Sequence, residues 1–196
     1  EHETLQVLGK TAEYKDPETG AHVARVGHYS KMIAKELGQN EKFQEIIFYA
    51  SPFHDIGKVG IPDAILLKEG KLSDDEFTLM KEHTMIGYEI LKFSKSEYLK
   101  AGAVIAFSHH EKFNGKGYPN GLHGNVIPLM GRIVAVADVF DALTSVRPYK
   151  QPWPLERAFE FLEQEKGEHF DPDIVACFLK NKETVMAIHQ QFQGDE

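Results

Sequence analysis

The spacing of apolar and polar residues predicts helices along most of the chain and very few strands. A Gly-rich stretch over residues 111–127 interrupts this pattern and predicts one long loop, a feature that is usually functional in a compact domain. Pro52 is expected to bend or break the second helix. The predicted helices cover residues 17–37, 41–55, 74–92, 96–110, 128–145, 154–166 and 172–192.

Capping residues mark where several of these helices begin. Asp16 followed by a proline, Asn40 and Asp171 each precede an apolar pattern and are typical N-caps. Ser73 and Glu76 have the spacing of a capping box. The fold class that follows is all-α, with about seven helices in one domain over residues 1–196.

Residues 1–15 also carry apolar positions at helical spacing. We expect them to continue a helix from an upstream regulatory domain.

Composition and charge limit the classes of function. The chain of 196 residues is 42% hydrophobic and has no apolar run close to the roughly 18 residues that would predict a membrane segment. A net charge of −8 disfavours binding to a nucleic acid polymer but leaves room for a small phosphate ligand where cations are concentrated. The single Cys177 excludes an internal disulfide, which suits a reducing compartment and predicts a cytoplasmic protein.

Imidazole and carboxylate side chains recur on five of the predicted helices. Glu18 and His22 are four residues apart and share a helix face. Asp138 lies within the apolar run IVAVADVFDAL, where burying an unpaired carboxylate would be costly. A shared metal site explains these residues together, and the mixed ligands suit iron, manganese, zinc or nickel. The other candidates are His54, Asp55, His83, His109 and His110.

Five motifs in this order carry a family resemblance: KDPETGAHVARV, HDIGKVGIPDAIL, EHTMIG, HHEKFNGKGYPNGL and VADVFDALTSVRPYK. Over essentially its whole length the chain resembles the HD-GYP domains, bacterial cyclic-dinucleotide phosphodiesterases within the HD metal-dependent phosphohydrolases. The HD pair is His54-Asp55, and the GYP triplet begins at Gly117. The resemblance implies an HD-type helical bundle with residues 111–127 as the GYP loop.

The resemblance also implies which residues bind metal. It makes His22, His54, Asp55 and Asp138 the core HD ligands, with Asp55 as the carboxylate shared between ions. His83, His109 and His110 resemble the ligands of a second ion. Glu18 matches a position that completes a third site in some members, although first-turn stabilisation of its helix is the other interpretation. Two or three divalent ions are therefore expected, with iron or manganese favoured over nickel or zinc.

The substrate contacts are expected from the same motifs. Lys58, Arg147 and Lys150 resemble phosphate-binding groups, and Lys58 is also a candidate proton donor beside the catalytic Asp55. Tyr118 is expected to stack on a base or to pack the loop. Asp141, three residues after Asp138, is expected to contact substrate or to support a metal ligand.

The expected activity is hydrolysis of cyclic di-GMP to pGpG, and then to GMP if the site cuts twice. Alternatives are the same chemistry on 3′3′-cGAMP or a cyclic-dinucleotide sensing module with little turnover. An HD nucleotidase acting on mononucleotides is disfavoured by the GYP and RPYK segments. The expected partners are an upstream receiver or sensory domain and signalling proteins.

Overall fold

The computed structural model describes residues 1–16 and 20–193, and within these ranges it is helical with isolated bridges in place of strands. This agrees with the predicted all-α class. Among the described helices, none is long and apolar enough to cross a membrane. The α-helices of the described residues are α1 His2–Ala12, α2 Gly20–Glu36, α3 Glu41–Ala50, α4 Asp63–Leu66, α5 Asp74–Lys81, α6 His83–Leu91, α7 Glu97–Ser108, α8 Leu129–Thr144, α9 Leu155–Gln164, α10 Pro172–Lys180 and α11 Lys182–Gln191.

Three of the predicted caps are present. Asn40 accepts a hydrogen bond from the backbone of α3, and Asp171 accepts one at the start of α10. Ser73 and Glu76 form the full capping box of α5. The cap at Asp16 stays a prediction, because residues 17–19 lie outside the described residues; the Asp16 carboxylate contacts Nζ of Lys58.

Three predicted helices are interrupted. The helix expected over residues 41–55 ends at Ala50 and continues as 3₁₀ turns over Ser51–Phe53 and Ile56–Gly60, where Pro52 cannot donate a backbone hydrogen bond. The helix expected over 74–92 is α5 and α6, and the one over 172–192 is α10 and α11. Single residues, Glu82 and Asn181, separate the helices of these last two pairs. Because the apolar spacing runs through both residues, the periodic pattern does not reveal the breaks.

An aromatic core joins α2, α8, α9 and α10. Tyr29, Phe140, Phe159 and Phe178 are at most 1% exposed. The Phe140 ring lies 4.9 Å from that of Phe178 and 5.6 Å from that of Tyr29, both edge to face. Burying each ring contributes about 1.5–3 kcal/mol to folding. This packing fixes α2 against α8, the two helices that carry His22 and Asp138.

A smaller cluster seats α1 on the domain. Leu5 of α1 belongs to a buried group with Phe53 and Leu91. Gly9 meets Pro52 so closely that a Cβ on Gly9 would lie 2.6 Å from the Pro52 ring. The first helix therefore packs beside the segment that carries the HD pair.

A glycine allows the turn after the HD pair to approach α6. A Cβ on Gly57 would lie 1.8 Å from the carbonyl oxygen of His83, a distance that no side chain can occupy. Glycine at this position lets the backbones touch. The close approach brings Asp55 next to His83.

Candidate metal centre

Asp55 lies at the middle of a group of imidazoles drawn from three elements. Its Oδ1 is 3.2 Å from Nε2 of His83 on α6 and 3.3 Å from Nε2 of His109 after α7. Its Oδ2 is 3.3 Å from Nε2 of His54. The ring of His110 lies 4.1 Å from that of His109 and 5.1 Å from that of His83. The two oxygens of one carboxylate thus face different histidines.

Asp138 extends this group on the other side of His54. Its Oδ1 is 3.4 Å from Nε2 of His54 and 3.3 Å from Nε2 of His22. The structure therefore brings together seven of the eight predicted metal ligands: His22, His54, Asp55, His83, His109, His110 and Asp138. The eighth, Glu18, lies outside the described residues.

The second ring nitrogen of several histidines is held by the backbone. Nδ1 of His54 donates to the carbonyl of Ser51 at 2.7 Å, and Nδ1 of His83 donates to that of Met80 at 2.6 Å. Nδ1 of His109 donates to the carbonyl of Ile105 at 3.0 Å. A carbonyl can only accept, so Nδ1 of each ring carries a proton, and the opposite ring atom, Nε2, faces the cluster.

The converging atoms need a cation. Nε2 of His54, His83 and His109 and Oδ1 of Asp55 are buried and lack a hydrogen-bond partner among the described residues. Nε2 of a neutral imidazole and a carboxylate oxygen can only accept, and leaving buried polar atoms unsatisfied costs about 1–3 kcal/mol each. Imidazole Nε2 atoms oriented by backbone carbonyls, facing carboxylates, are the ligands that divalent transition metals take. The cluster is therefore able to bind divalent metal ions.

The pKa shifts of Asp55, Asp138 and His110 also favour binding of a metal ion. Burial would raise the pKa of Asp55, but Lys58 and His54 outweigh it and hold that pKa well below the usual range. Burial likewise opposes ionisation of Asp138, yet His54 and His22 keep its pKa low. Burial and the neighbouring rings lower the pKa of His110 well below its ordinary value. The centre thus combines ionised carboxylates with imidazole that favours the neutral form.

The two carboxylates determine the direction in which the pKa of His54 shifts. Burial would lower its pKa, but Asp55 and Asp138 outweigh burial and raise the pKa well above the ordinary value. The negative potential that favours a proton at this ring also favours a metal ion.

The donor atoms fall into two groups, each with all its atoms within 4.8 Å of one another. The first contains Asp55, His83, His109 and His110, and the family resemblance implied that the three histidines bind a second ion. The second contains His22 and His54 together with Glu13, which was not among the predicted ligands. Glu13 is four residues after Gly9 and eight after Leu5, and all three are buried. A carboxylate on the buried face of α1 was the signal that could have identified it.

Lys58 lies against the cluster. Its Nζ is 2.9 Å from Oδ2 of Asp55 and also contacts Oδ2 of Asp16. Asp16 in turn lines a cavity of about 490 Å³ together with Arg147 and Lys150. Arg147 and Lys150, the other two predicted phosphate-binding residues, therefore border a cavity whose wall includes Asp16, the residue that pairs with Lys58.

Tyr118 of the GYP loop lies over the first metal-ligand group. Its ring stacks on His110 with centroids 4.8 Å apart, and Lys81 lies 5.3 Å above the Tyr118 ring. Burial and then the charges of Asp55 and Asp138 raise the pKa of the Tyr118 phenol, which stays protonated.

Glu111 holds the loop in this position. Its buried carboxylate accepts hydrogen bonds from the backbone of Asn120 at 2.7 Å and of Leu122 at 2.9 Å. A Cβ on Gly117 would lie 2.3 Å from the backbone nitrogen of Lys112, so glycine permits the loop to fold tightly. Glu111 was not among the predicted functional residues.

Asp141 occupies a different place from the predicted substrate contact. Its side chain is fully buried, and its Oδ2 accepts a hydrogen bond from Nδ1 of His22 at 2.7 Å. Its Oδ1 accepts one from Nε of Arg25 at 2.6 Å. With both oxygens engaged away from solvent, Asp141 supports His22, which was the alternative expectation for this residue.

Comparison with known proteins agrees with the geometry. The profile of the HD domain family matches residues 6–174. The cyclic di-GMP phosphodiesterase response regulator RpfG of Xanthomonas campestris pv. campestris is 47% identical over 98% of this chain and 51% of its own length. The 3′3′-cGAMP-specific phosphodiesterase 2 of Vibrio cholerae is 46% identical over 95% of this chain and 36% of its own length. The chain thus spans about half or less of these relatives.

A solved structure shows the same fold. The cyclic GMP-AMP phosphodiesterase V-cGAP3 of V. cholerae superposes with a TM-score of 0.71 over 98% of this chain and 50% of its own, at 20% identity. The HD-GYP resemblance drawn from the motifs is confirmed: the chain belongs to the HD-domain family.

Proposed function

We propose that this domain hydrolyses a phosphodiester bond of a cyclic dinucleotide, with cyclic di-GMP as its substrate and pGpG as its first product. The observation that carries the proposal is the set of buried Nε2 atoms facing the Asp55 and Asp138 carboxylates, with the Lys58 ammonium 2.9 Å from Asp55. A relative named as a cyclic di-GMP phosphodiesterase, 47% identical over almost the whole chain, supports the choice of substrate.

The seven clustered ligands would hold two divalent ions, with iron or manganese as the metal, and Glu18 is our candidate for the ligand of a third. Ions bound there would lower the pKa of water and stabilise charge on phosphoryl oxygens. Asp55 would serve both ions, because its two oxygens face different histidines.

The protein's own cations act on the phosphate. Lys58, Arg147 and Lys150 would bind the non-bridging oxygens, the arginine through its planar fork and the lysines as point charges. Water adds to phosphorus and loses a proton to solvent while the bond to the 3′ oxygen breaks, and the departing oxygen takes a proton. Lys58 is the proton donor that we assign to this step, and it regains its proton from solvent. Tyr118, stacked beside the cluster on His110, would contact a base of the dinucleotide.

The second candidate substrate is 3′3′-cGAMP. A relative named for that specificity is 46% identical to this chain, so overall similarity does not separate the two dinucleotides. Both carry the same 3′–5′ phosphodiester chemistry, and the difference must lie in contacts to one base. A second cut of pGpG would give GMP.

We also propose that the domain works in the cytoplasm as the output of a regulatory domain in the same protein. A relative carries the name response regulator, and this chain matches 51% of it. The lone Cys177 is suited to a reducing compartment.

The test is anaerobic purification with elemental analysis, followed by identification of the products formed from cyclic di-GMP and 3′3′-cGAMP. We expect at least two transition-metal ions per chain and release of pGpG, both lost after chelation and restored by Mn²⁺ or Fe²⁺. His54→Ala is the matched inactive variant, and His189→Ala, on α11, is the histidine control. A fully metallated protein that leaves both dinucleotides intact would overturn the proposal, and tight binding without turnover would identify a sensing module instead.

A further inference from the structure

Glu13, the C-cap residue of α1, brings a carboxylate next to His22 and His54. It is 3% exposed, and its Oε1 lies 3.9 Å from Nε2 of His54. This distance is too long for a hydrogen bond, so the two atoms do not satisfy one another directly. The ring of His54 is fully buried, and its Nε2 has no hydrogen-bond partner among the described residues.

The separation suits two ligands of one ion. Nitrogen and oxygen ligands lie about 2.0–2.2 Å from a metal such as zinc, so two ligands on one ion are up to roughly 4.2 Å apart. The 3.9 Å between Glu13 and His54 falls within that span. We propose that Glu13 is a ligand of the ion bound by His22 and His54, an inference that rests on the proposed metal-dependent function.

The packing of α1 against the rest of the domain determines whether Glu13 reaches this position. Leu5 and Gly9 lie on the same buried helix face, and Gly9 packs directly on Pro52, two residues before His54. A ligand at the end of α1 therefore links metal binding to the docking of that helix. Binding of an ion should hold α1 on the domain, and release of α1 should lower the affinity for that ion.

The test compares Mn²⁺ binding by wild type and Glu13→Gln, which keeps the shape of the side chain and removes its charge. We expect the variant to bind one ion at least tenfold more weakly than wild type. Its affinity for the ion held by His83 and His109 should equal that of wild type. Isothermal titration and elemental analysis of the folded, metal-stripped protein measure this. In wild type, Mn²⁺ should also slow hydrogen exchange of the α1 amides, and Glu13→Gln should lose that protection.

Three further variants make the result specific. Glu13→Asp keeps the charge on a shorter side chain, and its affinity for Mn²⁺ should lie between those of wild type and Glu13→Gln. Glu3→Gln removes an exposed charge from the same helix and should match wild type. Asp171→Asn removes a buried carboxylate that pairs with Arg132, so it should lower stability while leaving Mn²⁺ affinity unchanged.

The two proposals fail in different ways. If Glu13→Gln and Glu13→Asp bind Mn²⁺ with wild-type stoichiometry and affinity, Glu13 is not a ligand and the metal-dependent function stands. If wild type binds neither Mn²⁺ nor Fe²⁺, the proposed function fails as well.

Discussion

His22 donates a hydrogen bond of 2.7 Å from Nδ1 to Oδ2 of Asp141, and both side chains are buried. Asp141 is also bonded to the buried Arg25, whose Nη2 donates to Ser145 at 2.8 Å. His22 and Arg25 belong to α2, whereas Asp141 belongs to α8. The contact that joins the two helices therefore also fixes the ring that presents Nε2 to Asp138.

Asp141→Asn should weaken both metal binding and folding. Loss of a group that orients a metal-bound histidine typically lowers metal affinity by about 10- to 100-fold. Leaving the Arg25 charge buried without its carboxylate costs about 3–5 kcal/mol of unfolding free energy. Mn²⁺ titration and urea unfolding measure the two effects, with the exposed Asp173→Asn as control. Unchanged Mn²⁺ affinity would show that His22 does not depend on Asp141.

Asp55→Ala should remove more than one metal ion per chain. Oδ1 of Asp55 faces His83 and His109 while Oδ2 faces His54, so the variant removes a ligand from both groups. Elemental analysis after reconstitution with Mn²⁺ measures the stoichiometry, and activity should be abolished. Asp63→Ala, an exposed carboxylate eight residues later, is the control. Loss of a single ion with retained turnover would contradict the shared role.

Much of this centre could be predicted because its residues stand out locally. A histidine followed by an aspartate in an apolar segment, or Asp138 within a buried helix, requires compensation that the sequence alone makes visible. The caps at Asn40 and Ser73 could be predicted for the same reason, since each depends on residues three apart.

The residues that were missed depend on distant parts of the chain. Glu111 reads as an ordinary loop acid until the backbone of Asn120 and Leu122 folds back onto it. Asp16 fits an N-cap pattern, and that local pattern gives no sign of its contact with the Lys58 ammonium. Local spacing describes partners within one helical turn, whereas these contacts span from 9 to 42 residues.

Glu111→Gln should loosen the GYP loop while the metals stay bound. The neutral amide presents one oxygen where the carboxylate presented two, so one of the backbone N–H groups loses its acceptor. A hydrogen bond to a charged group contributes about 1.5–3 kcal/mol, which corresponds to roughly a 10- to 100-fold effect if Tyr118 leaves its position. We expect an increase in KM for cyclic di-GMP and an unchanged metal content. Glu168→Gln, which loses an exposed contact to Asn114 in the same loop, is the control. Wild-type kinetics in Glu111→Gln would show that the loop does not need this contact.

Arg147→Ala and Lys150→Ala should separate substrate binding from metal binding. Both residues line the cavity next to Asp16, and neither side chain belongs to the two groups of candidate metal ligands. Removing one charge-assisted contact to phosphate costs about 1.5–3 kcal/mol, so turnover should fall roughly 10- to 100-fold with the metals retained.

Arg147→Lys distinguishes the geometry of this contact from its charge. A lysine keeps the positive charge but cannot reproduce the two-point fork of the guanidinium, so we expect partial rescue. Contacts made equally in the ground and transition states would appear in KM, and contacts made in the transition state alone would appear in kcat. The assay is kcat/KM for cyclic di-GMP, with elemental analysis of each variant and Lys116→Ala, an exposed loop lysine, as control. Unchanged kcat/KM in both alanine variants would remove Arg147 and Lys150 from the site, and the positive charge facing the phosphate would then come from Lys58 and the bound metals.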